Sequence, residues 1–139
     1  MLNIKKTLTK LLTAMKSTED DVAGLKQTEL KLVDVSGRIT MGGAFTQVHK
    51  SAYQIGHLLF FTIEATVGTY VGGTVYTIAT MASGYRPNQT TPCVGYTSDG
   101  GFTPKATVSC YVETGGAIKV NAENQQGSYF FIKGFYYVA

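Results

Sequence analysis

Apolar residues recur at spacings of three and four through the first part of the chain. With Leu8 at an a position, the a/d series runs Met1, Ile4, Leu8, Leu11, Met15, Thr18, Val22, Leu25, Glu29 and Leu32, and eight of these ten are apolar. Such spacing, sustained over about four heptads, predicts a coiled-coil helix of roughly 45 Å. The stripe is narrow, as a seam between helices is, and an isolated helix of this composition needs a partner to persist. The other reading is an amphipathic helix packed on its own head. Thr18 and Glu29 weaken the seam, whereas Leu12 widens it beyond a simple a/d contact and suits more than two strands. The heptad alone does not fix the number of helices.

After Gly37 the period changes from 3.5 to 2. Alternating runs at Arg38–Met41, Leu58–Val67, Thr74–Thr80, Pro92–Thr97, Lys105–Val112, Ala117–Ala122 and Ser128–Val138 read as strands. Turn residues separate them, among them Gly72-Gly73, Ser98-Asp99-Gly100-Gly101 and Gly115-Gly116. Seven or eight strands with short turns predict a mostly β head, a jelly-roll-like antiparallel sandwich. The run Leu58–Val67 places Leu59, Phe61, Ile63 and Ala65 on one face; its other face begins apolar, with Leu58 and Phe60, and turns polar. The last run is apolar on both faces: Tyr129, Phe131, Phe135 and Tyr137 on one, Phe130, Ile132, Tyr136 and Val138 on the other. Antiparallel sandwiches keep one face wet. A strand apolar on both sides is therefore central in the core or covered by another subunit. Hence the expected organisation is a stalk over residues 1–35 and a head over 36–139. Ile4, Leu8, Leu11, Met15, Val22, Leu25 and Leu32 form the stalk seam, and Phe131 and Phe135 the head contact.

Composition supports the division. Residues 1–35 carry 11 of the 21 charged residues, one glycine and no aromatic; the remainder carries the other 15 glycines and all 16 Phe and Tyr. The net charge of +3 is mild and unclustered, which argues against nucleic acid as a partner. Lys5 and Lys6 before Leu8, Leu11 and Leu12 superficially suggest a signal peptide. Thr9, Lys10 and Thr13 interrupt the run, no small-residue cleavage site follows, and no stretch is long enough to span a membrane. The expectation is a soluble chain with no export signal and no membrane insertion. Cys93 and Cys110 are too few for a disulfide framework. They read as buried free thiols or as a single bridge.

Catalytic signals are sparse. His49 and His57 show no metal-ligand spacing, and no nucleophile elbow, P-loop or dinucleotide fingerprint occurs. The head has four acids, Glu64, Asp99, Glu113 and Glu123, with no spacing that pairs two across a cleft. The sequence thus predicts a binding protein with no catalytic residues, metal or cofactor. Two polar, aromatic loops are candidate ligand sites. One carries Tyr85, Arg86 and Asn88, the other Tyr96 and Asp99. Planar amides, guanidinium and carboxylate groups beside aromatic rings suit sugar recognition. The same residues also suit a plain turn: Arg86 and Pro87 shape one and Asp99 caps another.

The order of helix, strands, Ser83-Gly84-Tyr85-Arg86-Pro87, further strands, Gly116-Ala117-Ile118-Lys119-Val120 and a closing aromatic strand resembles the C-terminal heads of tail-fibre and baseplate receptor-binding proteins of phages and prophages of Gram-positive bacteria. The resemblance covers roughly residues 37–139. It implies a homotrimeric jelly-roll head on a helical stem, located in the virion tail, that recognises host cell-surface polysaccharide or another glycan. Other tail or baseplate proteins are the further partners it implies, and a purely structural tail protein is the alternative. In such heads the Gly-Tyr-Arg-Pro segment also has a structural use.

Overall fold

A computed structural model describes residues 4–27, 31–100, 103–122 and 128–139. The chain divides into two compact units, Met1–Leu30 and Lys31–Ala139.

The first unit is one helix, α1 (Ile4–Gln27). Its threonines are accommodated by back-bonding: Thr9, Thr13 and Thr18 donate their hydroxyls to the carbonyls of Lys5, Thr9 and Ala14 at 2.9–3.1 Å. The apolar stripe is bare in the single chain. Ile4 is 72% exposed, and Leu8, Leu11, Leu12 and Met15 are 56–58% exposed. Met1 and Glu29, and the side chains of Val22 and Leu25, lie outside the described residues. Leu32 departs from the heptad. It opens a strand, opposite Ile55, because the edge of the head sheet offers its backbone a hydrogen-bonding partner. Residues 31–35, assigned to the stalk from the sequence, therefore belong with the head.

The head is mostly β. Its strands are β1 (Leu32–Asp34), β2 (Ile39–Met41), β3 (Phe45–Ile55), β4 (Leu58–Val67), β5 (Tyr76–Met81), β6 (Thr91–Ser98), β7 (Ala106–Val112), β8 (Ala117–Asn121) and β9 (Tyr129–Tyr137). Among the described residues they form one antiparallel sheet in the order β1-β3-β4-β9-β6-β7-β8-β5-β2. The sheet must curl. β2 and β3 are joined by Gly42, Gly43 and Ala44 alone, a reach of roughly 15 Å. In a flat sheet the same two strands would stand seven spacings apart, roughly 34 Å. Lys50 seals the closure. It lies opposite the core residue Ile63 and donates its ammonium to the Ile39 carbonyl of β2 at 2.6 Å. At the other edge the Ser36 hydroxyl accepts the Ala52 N–H at 2.9 Å and donates to Asp34 at 2.6 Å. That hydroxyl, with the Ser36 N–H, holds the Asp34 carboxyl below its ordinary range.

The inner face is the core: Leu59, Phe61, Ile63 and Ala65 of β4, Phe130 and Ile132 of β9, Val108 and Val112 of β7, Ile118 and Val120 of β8, and Ile78 and Met81 of β5, all at most 3% exposed. The β4 faces agree with the alternation read from the sequence. Two bulges bend the sheet, between Gln47 and His49 in β3 and between Thr77 and Ala79 in β5. Each shifts the inward parity by one residue. Phe45 and Ala52, seven apart, therefore both face the core. Phe45, Tyr70, Tyr76 and Phe130 meet across the curl: the Phe45 ring stands edge-on to Phe130 at 5.5 Å and to Tyr76 at 6.3 Å, and Tyr70 lies 5.2 Å from Phe130.

Gly42 is where this closure is tightest, since a Cβ there would lie 2.0 Å from the Thr77 carbonyl oxygen, whereas one at Gly43 meets nothing within 4 Å. Gly42→Ala should lower the unfolding free energy by about 3 kcal/mol and Gly43→Ala by well under about 1 kcal/mol in urea titrations of the full chain. Equal effects at the two positions would contradict the closure described.

Candidate binding surface

The residues expected to hold a ligand do not come together. Gly84, at φ +83°, turns the chain after β5, and the Tyr85 N–H closes the turn on the Ala82 carbonyl. Tyr85 packs half-buried on the core with the Arg38 guanidinium 5.3 Å over its ring, and its carbonyl accepts the Tyr136 hydroxyl at 2.7 Å. Arg86 is half-buried over Gly116 and points its Nε at the Met81 carbonyl, 3.5 Å away. Pro87 is buried and bridges to Val138. The Gly-Tyr-Arg-Pro segment thus clamps the end of β9 onto the turn after β5. Asn88 is exposed, and only its backbone is engaged, with the Tyr137 carbonyl at 3.4 Å. Tyr96 and Asp99 lie toward the other end of β6, whose eight residues span roughly 26 Å. Tyr96 stacks on Phe131 at 4.9 Å and 13°. Asp99 pairs with Lys105 at 2.9 Å, both side chains well exposed, an arrangement that contributes little to stability.

What the fold assembles instead is an apolar outer face on β3, β4, β9 and β6. The register places Tyr53 opposite Phe60 and Phe60 opposite Phe135, so three aromatics form one row across three strands. The Phe60 and Phe135 rings stand 6.2 Å apart. In the next row Ser51, Thr62, Lys133 and Val94 follow one another across four strands. Phe135 and Tyr137 are each 64% exposed, and Val94 is 63% exposed. Phe131 differs from Phe135. It is only 9% exposed because Tyr96 of the same chain covers it. Among the two head residues expected at a subunit contact, Phe135 is open and Phe131 is already packed.

A mismatch in chain length opens this face. β6 and β9 pair as far as Val94 and Lys133, and the two segments meet again at Pro87 and Val138. Between these points one side has six residues, 88–93, and the other four, 134–137. Where the two segments part, a cavity of about 460 Å³ opens between them. Phe60, Phe135, Pro92 and Val94 wall it, Phe61 and Cys93 lie beneath, and Thr62, Thr91 and Lys133 supply its polar groups. Gly134 is required at the floor, where a Cβ would stand 2.9 Å from the Phe61 ring and 3.1 Å from the Cys93 sulfur. A smaller cavity of about 160 Å³ lies beside it, sharing Thr62, Val94 and Lys133 and bounded by Tyr96, Phe131 and Ile132. A pocket this size, apolar with few polar groups, suits binding. Among the described residues, Lys133 is the single charge in either lining, and no carboxylate or histidine lines them. The sequence pointed to Phe60 only as an outward apolar residue; Val94, Lys133 and the cavity depend on a register that the sequence does not display.

Beneath the face, Cys93 and Cys110 stand directly opposite each other in β6 and β7 as free thiols. The Cys93 thiol is pushed up by its hydrogen bond to Cys110 and by burial, and the same hydrogen bond pulls Cys110 down. Among the described residues no group of three or more His, Cys, Asp or Glu is placed to hold a metal ion, and no helix is long and apolar enough to cross a membrane. No family model and no curated protein sequence matches the chain.

Tyr136 ties the clamp to the β9 end of this surface, and burial raises its phenol above the ordinary 10.0. The folded state therefore keeps the proton longer than the unfolded chain does. The resulting stabilisation is present below pH 10 and is lost as pH rises above it. Tyr136→Phe should cost about 1 kcal/mol at neutral pH, from the lost hydrogen bond to Tyr85. It should also flatten part of the fall in the unfolding midpoint above pH 10. An unchanged alkaline profile in the variant would contradict the assignment.

Proposed function

We propose that the chain is a homotrimeric adhesin: the receptor-binding head of a phage tail fibre or baseplate, carried on a helical stem and recognising a host cell-surface glycan without catalysing a reaction. The observation that carries the binding reading is the outer face of β4, β9 and β6, where Phe60, Phe135 and Val94 surround a 460 Å³ cavity with Lys133 at its edge. Exposed aromatic rings stack on sugar rings, and a cation with two threonine hydroxyls offers hydrogen bonds beside them. An oligomer is supported by α1, whose described apolar side chains are more than half exposed in a single chain, and the number three comes from the resemblance. In this reading the curled sheet is a jelly-roll-like sandwich, and three copies compensate for weak single sites. The phage assignment rests on the resemblance carried by Ser83–Pro87 and Gly116–Val120. On this reading the protein belongs to the virion tail and is assembled in the bacterial cytoplasm.

A second reading is a structural tail or baseplate protein whose head binds another virion protein. The low polarity of the same face favours it, because hydroxyl-rich sugars want more hydrogen-bonding groups than Thr62, Thr91 and Lys133 supply.

Light scattering on the full chain should give three times 15.0 kDa, and a monomer would overturn the oligomer reading. Phe60→Ser together with Lys133→Ala should leave the fold intact and weaken binding to purified host cell-wall polysaccharide on the order of tenfold or more. Background binding by the unmodified trimer, alongside pull-down of a neighbouring tail protein, would favour the structural reading.

A further inference from the structure

We propose that Cys93 and Cys110 form a reactive dithiol, reached through the cavity between β6 and β9, that closes into a cross-strand disulfide by exchange with a small-molecule disulfide. The geometry meets each requirement. The two residues are direct partners in an antiparallel pair. Such partners have Cα atoms about 4.5–5.5 Å apart, inside the range a disulfide spans. Both side chains lie on the inner face. A Cβ at Gly95 would stand 3.2 Å from the Cys110 sulfur, and one at Gly134 would stand 3.1 Å from the Cys93 sulfur. The two glycines leave the room that the sulfurs fill. The reduced Cys93 thiol donates to the Thr91 carbonyl at 3.9 Å, a long contact that the bridge would replace at little cost.

Access is one-sided. Cys93 lines the cavity, whereas Cys110 is 5% exposed. Exchange therefore begins at Cys93. Its thiolate, formed as the proton passes to a base in solution, attacks one sulfur of the reagent and expels the first thiolate. Cys110, also deprotonated, then attacks the Cys93 sulfur of the mixed disulfide and expels the second. Two protein thiols and one reagent disulfide become one protein disulfide and two small thiols. The first step is bimolecular, whereas the second joins residues already held opposite each other, so the second is fast and the mixed disulfide does not accumulate.

The bond would lie where it has mechanical effect. β9 pairs with β6 from Val94 onward, so residues Thr91–Cys93 are held in the sheet from the β7 side. A bridge to Cys110 would staple that half of β6, and with it the outer wall of the cavity.

The test treats dilute full-length reduced chain with dithiodipyridine. The reaction is run over a range of chain concentrations, so that any cover of the cavity by another copy shows as a concentration-dependent rate. The expected result is two thiopyridones released per chain in one kinetic phase, a final mass lower by two hydrogens, and a Cys93–Cys110 cross-link in a non-reducing digest that dithiothreitol reverses. Cys110→Ala should release one thiopyridone and retain the pyridyl adduct on Cys93. Cys93→Ala should slow the reaction of Cys110 on the order of tenfold or more. A stable adduct on Cys93 in the unmodified chain, a disulfide between two chains, or thiols that react only after urea unfolding would each overturn the proposal. If the variants do not fold, the stoichiometry and mass of the unmodified chain decide.

Discussion

Three residues between β2 and β3 set the shape of the head. Gly42, Gly43 and Ala44 join an edge strand to one that lies near the opposite edge of the sheet order. A link that short turns a single sheet into its own second layer, and the inner faces of β4, β9, β7, β8 and β5 bury one another. The bulges in β3 and β5 and the edge-on packing of Phe45 on Phe130 are the local adjustments that let the backbone follow that curve. The Lys50 ammonium, bound to the Ile39 carbonyl, closes a seam where regular strand pairing has ended.

Curling also decides what is left outside. With the inner face filled, Tyr53, Phe60 and Phe135 are left in a row at the surface of β3, β4 and β9, each at least 40% exposed. Tyr96 covers Phe131, but Tyr137 and Val94 have no comparable cover. The apolar character of both faces of β9 thus has two causes. One face fills the core, and the other offers a surface for contact.

The parts legible in the sequence were those with an undisturbed period. β4 alternates cleanly, and its ends and faces follow directly from Leu58 to Val67. β3 did not show itself, because only Phe45 and Ala52 of its eleven residues are buried and the bulge sets them an odd number apart. β1 was hidden differently: Leu32 continues the spacing of the helix, and only the hydrogen bonds offered by β3 make it a strand. The polar loops drew attention as ligand sites because Arg, Asn and Asp beside tyrosine have that chemistry. In the fold, the backbone around Tyr85 and Arg86 is engaged in holding the chain end, through Tyr136 and Ala139. The cavity was illegible because no residue type encodes it; it arises from unequal path lengths.

That inequality has an evolutionary reading. The two segments beside the cavity differ in residue count, six against four, between their points of contact. Its ends are pinned by the Val94–Lys133 rung and the Pro87–Val138 bridge, and residues 88–90 between them lie outside the strands. Insertion or deletion there would change the rim beside the recess while the register of the flanking strands stayed fixed. The head therefore carries a recess bordered by a segment free to vary in length on a scaffold that is not.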